Sequence, residues 1–286
     1  MSYKCFEIEK NNGVAQIKMC RPEKANSMNA DFWVELPQII AELDRAGDVR
    51  ACILCAQGRN FSGGMDLDFF NRPEFASLDS ATKREAIIDV VAGLQEVFDG
   101  LERARFPVIA AVQGACIGGA LDMIAACDLR YACADARFCI EEINIGMMAD
   151  LGSLQRLPFI MSQSAVREMA YTGGSLDGKR AFELQLVGAV FTDRDEMMQA
   201  AQKTALQIAS KPPLAISATK KALNYSRNHG LADSLAYAGI LQAALLEPSD
   251  IRAAMKSRMD KSTAQFADLG PLRPLVGATG IEPVTR

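Results

Sequence analysis

The chain has 286 residues, 49% hydrophobic and 23% charged, which is long and apolar enough for a sizeable core. A formal net charge of −4 argues against nucleic acid as the main partner, and no run reaches the roughly 18 apolar residues of a membrane helix. With His229 as the only histidine, acid–base chemistry falls to carboxylates, Lys, Tyr or Cys, and His-dependent triads and His-rich metal sites are all but excluded.

From the N-terminus, YKCFEIEK and VAQIKMCR alternate apolar and polar residues around NNG, the pattern of a β-hairpin. MSYKCFEIEK lacks the apolar run of a signal peptide and the final VTR is not a peroxisomal tripeptide, so a cytoplasmic location is expected for a bacterial source. From Asp31 to Arg45, the spacing of Phe32, Leu36, Ile39, Ile40 and Leu43 predicts an amphipathic helix, with Pro37 as a point of kinking or splitting. RACILCAQG reads as a short buried strand. Its Cys52 and Cys55 have C-x-x-C spacing, but no second pair or His cluster completes a zinc site. The eight cysteines are therefore read as free thiols filling a core in a reducing compartment.

Thr82 to Arg103 predicts a longer helix, and FPVIAAVQG a second buried strand between Pro107 and Gly114. Residues 118–127 read as helix, DLRYA and ARFCI as strands, and Leu151 to Leu157 as the opening of another helix. Beyond about residue 195 the pattern turns helical: Asp195–Ser210, Pro213–Asn228, Leu231–Leu246 and Ser249–Lys261, with Ser249 as N-cap. The Gly- and Pro-rich tail from Leu269 reads as extended or disordered. The expected organisation is an α/β core with the active site over 1–195, a helical region over 196–268 and a tail over 269–286.

Chemistry has three places to sit. FSGGMDLDFF, residues 61–70, carries paired glycines that let backbone approach a ligand, although alone it is no more than a Gly-rich turn. GACIGGALDM, residues 114–123, places three glycines between a buried strand and a helix start, where amides favour negative charge; it is neither a dinucleotide fingerprint nor a Walker loop. Two such loops, each offering one amide to the same oxygen, would form an oxyanion hole of the kind an enolate beside a thioester carbonyl needs. The third place is the acidic set Asp122, Glu142 and Asp150 amid apolar residues. Singly, Asp122 reads as a solvated helix residue, Glu142 as the partner of an Arg, and Asp150 as a helix cap. Together, they fit proton transfer on an apolar substrate.

FSGGMDL, then FPVIAAVQGACIGGALDMIAACDLRYA, then FCIEEINIGMMADLGSLQRLP resemble the crotonase (enoyl-CoA hydratase/isomerase) superfamily, and the resemblance runs from RPEKANSMN to about Ala267. ADLGSLQRLP and KALNYSRNHGLADSLAY resemble its Δ3,5-Δ2,4-dienoyl-CoA isomerase branch. The resemblance implies a crotonase-like spiral of β-β-α units, a helical C-terminal trimerisation region giving a homotrimer or hexamer, and an acyl-CoA thioester substrate. It places the oxyanion-hole amides at Met65 and Gly119, and Gly63, Gly64, Asp66 and Leu67 along the CoA. CoA belongs to the substrate, so no cofactor is expected; no metal, nucleic acid or membrane partner is expected either. CoA phosphates need cations, for which Arg21, Lys24 and Lys256 are candidates.

Two departures separate this chain from the family's hydratases. Those carry Glu at the Asp122 position and a second Glu at Glu142, a pair that activates water. Loss of one methylene withdraws the first carboxylate by roughly 1.5 Å, a misplacement that can cost ~10²-fold. Where hydratases read Pro-Gly-Ala-Gly-Gly, this chain reads Ala149-Asp150-Leu151-Gly152-Ser153, adding a carboxylate that the resemblance identifies with the isomerase's third acid. Moving a proton from C2 to C6 of a dienoyl thioester spans about 5 Å. Two fixed carboxylates could serve one end each: Glu142 at C2 and Asp150 at C6, or the reverse, with Asp122 positioning or tuning Glu142. Ile143, Ile145, Met147, Met148 and Leu151 are expected to exclude water and house the acyl chain. The alternatives are a 2-enoyl-CoA hydratase of fatty-acid β-oxidation, with Asp150 only capping a helix, and a non-catalytic CoA-ester binding subunit.

Overall fold

The computed structural model describes residues 3–71 and 80–272. The hairpin forms as expected. Asn12 and Gly13 take φ of 52° and 75°, the left-handed pair of a two-residue turn, and β1 (Phe6–Asn11) pairs antiparallel with β2 (Val14–Met19). From β2 a parallel sheet extends through β3 (Ala51–Ala56), β4 (Val108–Val112), β6 (Leu129–Cys133) and β9 (Ala189–Phe191). A smaller sheet holds β5 (Ala115–Ile117), β7 (Arg137–Cys139) and β8 (Ser175–Asp177).

Every residue of β3 and β4 is buried, as expected for parallel strands covered on both faces. Cys52, Leu54 and Ala56 face α1 (Ala30–Ala46) and α2 (Ala81–Arg103), while Ala51, Ile53 and Cys55 face α7 (Arg194–Ala209) through Met197, Ala201 and Ala205. The chain winds as a spiral: β4, β5 and α3 (Gly119–Ala125) form one β-β-α turn, and β6 and β7 open the next, leading to α4 (Ser153–Arg156). All eight cysteines are free thiols, seven of them buried.

Pro37 does not split α1 into two elements. The helix runs uninterrupted, because Phe32, Leu36, Ile39 and Ile40 bury one face and Asn29 caps its start by accepting the Phe32 N–H at 3.0 Å. The helix expected over Leu151–Leu157 is only the single turn α4, followed by a 3-10 turn over Leu157–Phe159 that contains Pro158. Next come α5 (Gln163–Thr172) and α6 (Gly178–Glu183); these and the three-residue β8 and β9 had no sequence expectation, the strands being too short for a periodicity to register.

The C-terminal helices are α8 (Pro213–Asn228), α9 (Leu231–Leu245) and α10 (Pro248–Asp260). Ser249 is not the cap of α10. Pro248 occupies the first helical turn, and the Glu247 carboxylate caps it by accepting the Ser249 N–H at 2.9 Å. Buried Lys220 pins α8 to the core, donating to the carbonyls of Leu101 and Phe106 and to Asp128 at 2.7, 3.0 and 2.8 Å. By contrast α9 has no fully buried residue, and its Leu231 and Ile240 are 77% and 65% exposed. Residues 269–272 pack rather than hang free: Leu269 is buried and the Leu272 N–H donates to the Arg45 carbonyl at 2.9 Å. The rest of the tail lies outside the described residues. Among the described residues no helix is long and apolar enough to cross a membrane.

Candidate active site

Both glycine-rich loops meet at one place. Gly64 takes φ of +87°, and a Cβ there would come within 2.5 Å of the Ile117 carbonyl and 3.6 Å of the Gly119 nitrogen. Only a glycine lets the first loop lie against the start of α3. Met65 bridges to Met28, whose N–H bonds the Gly64 carbonyl while the Asp66 N–H bonds the Met28 carbonyl. That ladder uses the Gly64 carbonyl and the Asp66 N–H, and not the Met65 N–H. Gly119 is the first residue of α3, so its N–H lacks an intrahelical acceptor. The Met65 and Gly119 N–H groups, on two loops that touch at Gly64, are thus left out of the backbone ladder and of the helix bonding. Asp66 accepts the Ser27 hydroxyl at 2.8 Å, and this bond, with the charges of Arg21 and Lys24, holds its pKa low. Gly63 and Leu67 are exposed along the same edge, Leu67 at 71%.

The acids converge on these loops. Asp122 is fully buried in α3, not a solvated helix residue; one carboxylate oxygen accepts the Ser153 N–H and the other has no partner. Glu142 stands at the start of the 3-10 turn Glu142–Ile145, where Oε2 is likewise buried without a partner, and no Arg pairs with it among the described residues. A Cβ on Gly118 would sit 3.1 Å from its other oxygen, so the Glu142 carboxyl rests directly beside the Gly118–Gly119 backbone. Asp150 is half-buried, and it is no helix cap: Gly152 holds the N-cap position of α4 and no side chain caps it.

Electrostatics tie the three together. Burial, then the charges of Asp122 and Asp150, pushes the Glu142 pKa up to about 7. Burial also raises Asp122 to about 6; its hydrogen bonds from Ser153 oppose the shift and the Asp150 charge adds to it. Burial raises Asp150 as well. Unpartnered buried carboxyl oxygens cost stability, so their presence here marks groups held ready for something that enters the site.

Beside them lies a cavity of 440 Å³, lined by Ile140, Ile143, Met147, Ala149, Leu154 and Val166 among others. The expectation that the apolar run seals this site is not met within one chain. Leu151 is buried, but Ile143, Ile145, Met147 and Met148 are 44%, 51%, 38% and 64% exposed. The short turn and Gly146, at φ of 82°, carry that stretch along the surface, where none of the described residues buries it. Of the cation candidates, Arg21 is committed to the Ser27 carbonyl at 3.0 Å, and Lys24 and Lys256 are exposed. Among the described residues no cluster of His, Cys, Asp and Glu is arranged to hold a metal.

Residues 9–269 match the family model for enoyl-CoA hydratase/isomerase. The chain belongs to the enoyl-CoA hydratase/isomerase family. Within the family it is similar to the mitochondrial Delta(3,5)-Delta(2,4)-dienoyl-CoA isomerase of Mus musculus, 37% identical over 251 residues that cover 87% of this chain and 77% of that protein. The peroxisomal protein of the same name from Arabidopsis thaliana is 35% identical over 94% of this chain and 99% of its own length. Among solved family structures, an enoyl-CoA hydratase from Bacillus anthracis superposes with a TM-score of 0.84 over 92% of this chain and 99% of that one. At 24% identity that likeness speaks to the fold alone.

Three residues that hold the site were not singled out in the sequence. Gln95, Asp99 and Glu102 of α2 grip the Asp150 loop and Arg156. Their spacing of i, i+4 and i+7, a polar stripe at the border of an otherwise apolar helix face, was the available signal.

Proposed function

We propose that this protein is an isomerase that shifts the double bonds of 3,5-dienoyl-CoA to give 2,4-dienoyl-CoA. The observation that carries the proposal is the placing of Asp150. It stands half-buried and electrostatically coupled to Asp122 and Glu142, whereas hydration needs only two acids. The names of the mouse and Arabidopsis relatives support the same reading.

In this mechanism the Met65 and Gly119 amides hold the thioester oxygen and stabilise the dienolate that forms on proton loss. C2 is bonded to the thioester carbonyl carbon, so it lies close to whatever flanks the Gly119 amide. Glu142 flanks it, and takes the C2 proton. Asp150 delivers a proton to C6 at the far end of the conjugated system. Asp122, anchored by Ser153, positions Glu142 and keeps its proton affinity high. Gly63, Gly64, Asp66 and Leu67 border the CoA, which enters as part of the substrate, and the reaction consumes no separate cofactor. The exposed apolar faces of α9 and of residues 143–148 are covered by other copies in a trimer or a dimer of trimers, which closes the acyl pocket.

The test is a direct comparison of substrates. A 3,5-dienoyl-CoA is expected to give the strong ultraviolet absorbance of the conjugated 2,4-product, and crotonyl-CoA to be hydrated at least ~10²-fold more slowly, the cost of a carboxylate misplaced by about one bond length. Fast hydration of crotonyl-CoA without dienoyl turnover would establish the hydratase alternative. Thioester binding with no turnover of either would establish a non-catalytic subunit.

A further inference from the structure

The loop that carries Asp150 is held peptide by peptide. The Gln95 side-chain amide donates to the Asp150 carbonyl at 2.6 Å, Arg156 Nη1 donates to the Leu151 carbonyl at 3.2 Å, and the Ser153 N–H donates to Asp122. Between these, Gly152 lies flat on the same guanidinium: its φ is +134°, and a Cβ there would fall 1.8 Å from Arg156 Nη1. Backbone and guanidinium are fitted so closely that neither moves without the other.

Arg156 is itself immobilised. It is 9% exposed, its Nε donates to Glu102 Oε1 at 2.7 Å and its Nη2 donates to Asp99, both acids coming from α2. Glu102 also accepts both terminal nitrogens of Arg227 from α8, at 2.7 and 3.0 Å. Burial opposes ionisation of Glu102, but the hydrogen bond from Arg227 and the Arg156 charge outweigh it, so its pKa lies below the usual carboxylate range. A chain of charge-assisted bonds therefore runs from α8, through α2, to the Asp150 loop. The Arg227–Glu102 link is two-pronged, and Arg156 spreads Nε, Nη1 and Nη2 over Glu102, the Leu151 carbonyl and Asp99, a planar fan that a lysine ammonium cannot reproduce.

We propose that Arg156, gripped by Asp99 and Glu102, is the positioning residue that fixes the Asp150 carboxylate opposite Glu142, and that Arg227 ties this position to the seating of α8. The proposal rests on the isomerase reading above. Arg156 touches no substrate in it and acts through the loop alone. It acts mainly on one end of the reaction, because Glu142 sits on a different turn and is linked to this loop through Asp122, while Arg156 bonds Glu102, Asp99 and the Leu151 carbonyl.

The experiment uses Arg156→Lys, Glu102→Gln and Arg227→Gln in the full-length protein, each checked for folding by thermal melting. Two rates are measured: isomerisation of 3,5-dienoyl-CoA, and exchange of the C2 proton with deuterated water followed by mass spectrometry. Arg156→Lys keeps the charge and loses the fork. Its kcat for isomerisation is expected to fall ~10²-fold, the scale of a 1 Å misplacement, with KM little changed and C2 exchange within about tenfold of wild type. Arg227→Gln, at a half-exposed position, is expected to give a smaller loss of the same kind and remains informative if Arg156→Lys does not fold. Wild-type kcat in the folded variants, or parallel loss of exchange and isomerisation, would overturn the clamp while leaving the isomerase reading intact. Absence of dienoyl turnover in the wild-type enzyme would overturn both.

Discussion

Asp150→Asn is expected to lower kcat for conversion of 3,5-dienoyl-CoA to 2,4-dienoyl-CoA by ~10³-fold, within the range that a positioned general acid or base contributes. Affinity for the CoA ester should stay within a small factor of wild type, because the amides proposed to hold the thioester oxygen, Met65 and Gly119, lie on other loops. Asparagine keeps the shape of aspartate and cannot carry the proton that C6 requires. The variant should still exchange the C2 proton with solvent, since Glu142 and the two amides are untouched. Steady-state absorbance at the conjugated-diene band and calorimetric titration with a saturated acyl-CoA measure the two quantities. Isomerisation within tenfold of wild type would remove Asp150 from the reaction.

Glu142→Gln is expected to abolish both C2 exchange and isomerisation, a loss of ~10³-fold or more, since it removes the carboxyl that rests beside the Gly118–Gly119 backbone. The wild-type pH profile tests the same assignment from another side. Two carboxyls that act as base and acid must share one proton, so the active species is the singly protonated pair whichever group holds it. Burial and the neighbouring acids raise Glu142 to about 7, so above that pH the pair loses its last proton. The sign follows: kcat/KM should fall with rising pH above about 7, approaching tenfold per pH unit. A mechanism with Glu142 as sole base needs only its ionised form and predicts the opposite, a rise through the same region. An increase in kcat/KM across that range would defeat the two-carboxylate scheme.

Much of the fold was legible because long elements leave periodic traces. The hairpin around Asn12-Gly13, the apolar stripe of α1 and the unbroken apolar runs of β3 and β4 follow from local turn chemistry and from burial on one face or two. The three-residue β8 and β9 leave no such trace, since their pairing partners lie far away in sequence. Pro37 raised doubt about α1 because its local cost is visible in sequence, whereas the buried contacts of Phe32, Leu36 and Ile39 that offset it are tertiary.

The sequence by itself determined which groups are available for chemistry: carboxylates rather than histidine, two glycine-rich loops with donors to spare, and an acid at position 150 where the family's hydratases have glycine. It did so because residue type fixes proton affinity and backbone freedom before any folding occurs. Only the tertiary structure decided that Asp150 does not cap α4 but lies near enough for its charge to raise the pKa of Asp122 and Glu142, and that Ile143, Ile145, Met147 and Met148 stay exposed. It also decided that Arg156 lies under Gly152, with its charge answered by Asp99 and Glu102. These are relations between segments remote in sequence. Proton affinity, exposure and pairing there depend on what folding brings alongside each group, and local sequence carries no record of that.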